Sequence, residues 1–160
     1  MPTGPQELTE QLRRRLLEMG GMVEMSIHNS VQALARREAE LAEQVVAAEP
    51  AINRMEMEND SLIVELLSEP HDEKGTLRFL AAAIKINHDL ERMGDLAVSI
   101  ARRGLSLMGE PPVKPLIDIP KMAQLAESMV GLSLDAFVKG DAAQARAVLS
   151  DDDEVDRLRD

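Results

Sequence analysis

The sequence predicts an all-α protein: an antiparallel three-helix bundle followed by a partial second copy of the same bundle. Three observations predict it. Apolar residues recur at alternating spacings of three and four over most of the 160 residues, the period of helices buried along one side. Aromatics are nearly absent, with two Phe and no Tyr or Trp, so the core falls to Leu, Ile, Val, Ala and ten Met, a set that suits helix-on-helix packing better than sheets. Short polar or proline-bearing segments separate the long periodic stretches, as in an antiparallel bundle.

The first helix runs from about Thr9 to Arg37, where Leu12, Leu16, Met19, Val23, Ile27, Val31 and Leu34 keep the rhythm. Gly20-Gly21 lies inside it, at a cost of about 1 kcal/mol per glycine relative to alanine. A second helix from Ala39 to Ser68 carries Leu41, Val45, Ala48, Ile52, Met55, Leu62 and Leu66. Pro50 removes a backbone donor within it and predicts a kink. Residues 69–75 are polar, contain Pro70 and form a turn, with Thr76 as the cap of a third helix that ends near Gly104. On this third helix Phe79, Ala83, Ile86, Leu90, Met93, Ala97 and Ile100 form the core stripe. Glu91 and Asp95, one turn apart, fall on nearly the opposite side, with Leu80, Ile84 and Val98 above and below them.

Residues 109–120 hold four prolines and read as a linker between a first unit, 1–108, and a second, 121–160. The second unit repeats the first. A shift of 103 residues aligns Met19 with Met122, Glu24 with Glu127, Ser30 with Ser133, Ala33 with Ala136 and Val45 with Val148. The repeat reads as truncated after the start of its second helix. Its apolar stripe of Leu125, Met129, Leu132, Ala136, Val148 and Val155 is therefore expected to be loosely ordered or buried against another chain.

A formal charge of −11 argues against a nucleic-acid partner, because backbone binding needs Lys and Arg clusters and base binding needs stacking platforms. Without cysteine there is no disulfide framework, thiolate chemistry or zinc ribbon. The N-terminal segment lacks the apolar region of a signal peptide and no run is long enough to span a bilayer, so the expected location is the cytoplasm. No nucleophile motif, P-loop or dinucleotide glycine pattern is present, and the expectation is a protein that is not an enzyme.

One pattern points to chemistry: an acidic residue, three others, then Asp or Asn, which places two oxygen ligands on adjacent turns of a helix. It occurs as Glu91 and Asp95, as Glu49 and Asn53, and, at the repeat-related place, as Asp152 and Asp156. Glu56 lies one turn beyond Asn53 and supplements that pair; His88, one turn before Glu91, is an extra candidate ligand. Oxygen-rich chemistry of this kind favours Mg²⁺, Mn²⁺ or a carboxylate-bridged iron cluster. His28 lies four residues after Glu24 rather than three, so the Glu-x-x-His signature of di-iron bundles is missing. The alternatives are a carboxylate-bridged metalloenzyme and a metal-free helical scaffold whose acid pairs are solvated faces.

The segment DLERMGDLAVSIA resembles the third helix of the PhoU family of phosphate-uptake regulators. MGGMVEMSIHNSVQAL is similar to that family's first helix, VVAAEPAINRMEMEND to its second, and DAFVKGDAAQARAVLSDDDEVDRL to its second repeat as far as it goes. The resemblance implies two three-helix bundles side by side, with metal ions or iron clusters held on the bundle surface. It makes Glu91 and Asp95 ligands together with Glu49, Asn53 and Glu56, and gives Asp152 and Asp156 to a second, incomplete site. It also implies a cytoplasmic homodimer that negatively regulates the phosphate-starvation response by linking the phosphate ABC transporter to a sensor histidine kinase.

Overall fold

A computed structural model describes residues 4–70, 74–112 and 114–159. Among them are five helices and no strand: α1 (Pro5–Arg36), α2 (Ala39–Ser68), α3 (Lys74–Leu107), α4 (Asp118–Lys139) and α5 (Ala142–Arg159). The first three pack on one another as an up-down-up bundle, α4 lies along α1, and α5 packs on α4.

Local chemistry sets the ends of these helices. Pro5 sits in the first turn of α1, where its missing N–H costs nothing, so the helix begins before Thr9. At the other end Arg37 adopts a left-handed conformation with φ 59°, and the Glu38 N–H returns to the Ala33 carbonyl, an end that lets α2 fold straight back. The Arg37 guanidinium also donates to the carbonyls of Leu107, Met108 and Glu110, satisfying acceptors at the C-terminal end of α3. Helix α2 runs unbroken through Pro50, which is exposed. Thr76 lies within α3 rather than capping it, because helical geometry is already present at Lys74. Helix α4 starts at Asp118, which places Pro120 in its first turn instead of in the connection.

The main core joins Leu12, Leu16, Met19 and Val23 of α1 to Ile52, Ile63 and Leu66 of α2, Leu80, Ala83 and Leu90 of α3, and Val130 and Leu134 of α4. Full burial of one such Leu or Ile stabilises by about 1.5–3 kcal/mol. Towards the tight α1–α2 turn the core narrows to Ala33, Ala42, Val45, Ala97, Val98 and Ala101, small residues that suit the close approach a two-residue turn imposes. The two phenylalanines stack on each other across α3 and α4, with Phe79 and Phe137 centroids 4.9 Å apart and the Arg13 guanidinium of α1 over Phe79 at 4.3 Å.

Two expectations are corrected. The buried arc of α3 is Leu80, Ala83, Asn87, Leu90, Gly94, Ala97, Val98, Ala101 and Gly104. At about 100° per residue this is roughly 50° closer to Glu91 than the apolar stripe suggests. Leu80 and Val98 are core, and Phe79, Ile86, Met93 and Ile100 form a half-buried flank. The second correction concerns the repeat: α4 is buried against α1 of the same chain, with Leu134 and Val130 in the main core, although Leu132 is exposed. An apolar groove of about 540 Å³ remains between α3, α4 and α5, lined by Ile86, Met93, Leu96, Met129 and Val155. No helix among the described residues is long and apolar enough to cross a membrane.

Candidate metal site

Helices α2 and α3 run antiparallel, and their facing turns bring the acidic pattern together. His88 Nδ1 lies 3.4 Å from Glu56 Oε1. Glu56, His88 and Glu91 each offer a ligand atom within 4.8 Å of the others'. The rotation of α3 described above explains the convergence: Glu91 sits at the shoulder of the core, half-buried beside Glu56, not on the far side. Asp95, one turn further along α3, adds its charge to that of Glu56 beside Glu91. Burial, then the charges of Asp95 and Glu56, accordingly raise the Glu91 carboxyl above its ordinary range, opposed by His88.

The remaining α2 positions divide. Glu49 faces Arg102 at 3.6 Å, two turns from the cluster. Asn53 lies between Glu49 and Glu56, and its Oδ1 is buried with no hydrogen-bond partner. A buried oxygen without a donor is costly, and an amide oxygen is a ligand type that hard cations accept. The three that converge, two carboxylates and one imidazole, fit a hard or borderline divalent ion. On α5, Asp152 is exposed at the groove and Asp156 pairs with Arg159 at 2.9 Å. Among the described residues neither belongs to a group of three acidic or histidine side chains such as Glu56, His88 and Glu91.

Beneath the cluster lies a polar network that the periodicity did not single out. Asn59 and Asn87 are both fully buried, and Asn59 Nδ2 donates to Asn87 Oδ1 at 2.9 Å. Asn87 Nδ2 donates to the Glu56 carbonyl at 3.0 Å and to Asp60 Oδ1 at 2.9 Å. Arg15 Nε donates to Asn59 Oδ1 at 2.7 Å, tying in α1. The signal was present: Asn87 falls four residues after Ala83 and three before Leu90, a polar residue in the phase of the core.

A second acidic contact joins α1 to α4. Glu24 packs over Gly131, where a Cβ would stand 3.2 Å from its carboxyl oxygen, and His28 Nδ1 lies 3.4 Å from Glu127. Burial, and then the charge of Glu127, raise the Glu24 carboxyl above its ordinary value.

Comparison with known proteins matches the PhoU domain to residues 16–104 and 119–160. The chain is 34% identical over 149 residues to a phosphate-specific transport system accessory protein PhoU homolog of Aquifex aeolicus, covering 93% of this chain and 67% of that protein. It is 36% identical over 150 residues to the homolog of Pseudomonas putida, covering 92% and 58% respectively. Thus it spans about 58 to 67% of the length of these relatives. Among solved structures, the crystal structure of PhoU from Pseudomonas aeruginosa superposes with a TM-score of 0.90 at 34% identity, over 96% of this chain and 74% of that one.

Proposed function

Because this chain belongs to the PhoU family, we propose that it is an accessory regulator of phosphate-specific transport, an adaptor and not a catalyst. Its partners in this reading are the phosphate ABC transporter and a sensor histidine kinase, which it joins in the cytoplasm as a homodimer to repress the phosphate-starvation response. The relatives that it matches are named as accessory proteins of that transport system, which supports the transporter as a partner.

The α2–α3 face holds a divalent cation through Glu56, Glu91 and Asp95, with His88 and the Asn53 oxygen as additional donors. The convergence of Glu56, His88 and Glu91 is the observation on which this rests. A bound cation would supply charge neutralisation where three carboxylates crowd one turn of each helix, and the imidazole tilts preference from Mg²⁺ towards Mn²⁺ or iron. Glu49 belongs to an ion pair in this arrangement, and Asp152 and Asp156 on α5 are not part of this site.

The regulatory role is tested by expressing the chain in a bacterium deleted for its own PhoU and assaying alkaline phosphatase in phosphate-rich medium. Restored repression is expected, and phosphatase as high as in the deletion strain would reject the adaptor reading. For the cation, elemental analysis of the purified protein should show metal that Glu91→Ala/Asp95→Ala lacks. Equal, low occupancy in both proteins would reject the site.

A further inference from the structure

The three donors of the cluster come from two helices, and one side chain bridges those helices at the same level. Asn87 immediately precedes His88 and stands one turn before Glu91. Its amide donates across the interface to the carbonyl of Glu56 itself. The other amide hydrogen goes to Asp60, one turn further along α2, and its oxygen receives Asn59. Every polar atom of the Asn87 side chain is thus used, at full burial.

We infer that Asn87, with Asn59 and Asp60, is a positioning clamp for the cation site: it sets the axial register of α3 against α2 and so the spacing of Glu56 from His88 and Glu91. Apolar packing specifies that register less sharply, because hydrophobic cores tolerate repacking at modest cost. A buried amide pair cannot slide without orphaning donors and acceptors, each at about 1–3 kcal/mol, and single buried polar residues are known to fix helix register. The local packing agrees. Gly94, two turns beyond Asn87, lets Ile52 approach so closely that a Cβ would stand 3.2 Å from its Cδ1, so the interface is close-packed on the side of the clamp nearer Arg102. Asn87 does not touch the ion in this arrangement. It acts through the two helices that carry the donors.

This inference rests on the cation-site reading, and the test keeps the two apart. Calorimetric titration of the whole chain with Mn²⁺ would compare wild type with Asn59→Leu/Asn87→Leu, in which an apolar pair replaces the amides. Affinity is expected to fall by about 10- to 100-fold, the usual effect of losing an outer-shell support. Asp60→Ala, at an exposed position, should weaken Mn²⁺ binding in the same direction without endangering the core. Asp60→Asn, which keeps an oxygen for Asn87, should not. Wild-type affinity in both the leucine pair and Asp60→Ala would overturn the clamp. Spin labels at the exposed positions Met57 and Arg92 supply a readout independent of metal: the α2–α3 distance distribution should broaden in the leucine pair. A wild type that binds no Mn²⁺ would sink the cation site alone; an unbroadened distribution would sink the clamp alone.

Discussion

Gly20 and Gly21 are neighbours in the chain with opposite surroundings, and they show how a single residue's cost depends on what it faces. A Cβ at Gly21 would meet nothing within 4 Å, whereas one at Gly20 would fall 2.1 Å from Leu134 Cδ1. Gly21→Ala should therefore raise stability by about 1 kcal/mol through helix propensity. Gly20→Ala should recover less of that gain, because Leu134 must leave its rotamer at about 0.5–1.5 kcal/mol; urea unfolding of the two variants measures the difference. Glu24 gives a second case. Its folded-state carboxyl is raised by burial and by Glu127, so the folded protein binds more protons than the unfolded chain between the ordinary and the raised value. Stability should fall as pH rises through that interval and recover on acidification through it. Glu24→Gln should raise the melting temperature at neutral pH, and the advantage should vanish below the carboxylate range.

The helices differ in how much of their order comes from packing. The first three bury long faces against one another, but α5 buries only Val148 and depends on its own ends. Asp141 supplies the N-terminal cap, its Oδ1 accepting the N–H groups of Ala143 at 3.0 Å and Gln144 at 2.9 Å. Asp141→Ala should cost about 1 kcal/mol, the usual loss for such a cap, and the loss should appear as lower helical circular dichroism and faster amide exchange confined to α5. An equal loss of protection in α1–α3 would show instead that α5 supports the bundle.

At the scale of the molecule, α4 decides whether the chain is one cooperative unit or a bundle with an appendage. Leu134 and Val130 share a core with Leu12, Leu16 and Leu80, and Phe137 stacks on Phe79. Leu134→Ala should therefore destabilise by about 2–5 kcal/mol and shift a single denaturant transition seen by every probe. An early separate phase, with the main transition unmoved, would mean that α4 melts independently. The −11 charge is felt at the α1–α4 seam, where Glu24 meets the charge of Glu127 beside His28, while the Arg13 guanidinium crosses the seam to the Val138 carbonyl.

The repeating three-four pattern of Leu, Ile, Val and Met was enough to establish helices α1 to α3, because burying one side of a helix demands that period whatever it packs against. The shift of 103 residues likewise disclosed that α4 repeats α1, and the four-residue spacing of Glu91 and Asp95 placed two carboxylates on adjacent turns. Periodicity in one helix, however, carries no information about the partner's position. The rotation of α3 that buries Leu80 and Val98 depends on Gly94 admitting Ile52 and on Asn87 meeting Asn59, contacts between residues 28 or more positions apart in the chain. Gly20 carries only a helix-propensity cost in the sequence, and the tertiary structure alone sets Leu134 against it. Which acids gather at one place, Glu56 with Glu91 and not Glu49, was settled only by the antiparallel register of α2 and α3, since a metal site is a property of distances between helices and a sequence records only distances along them.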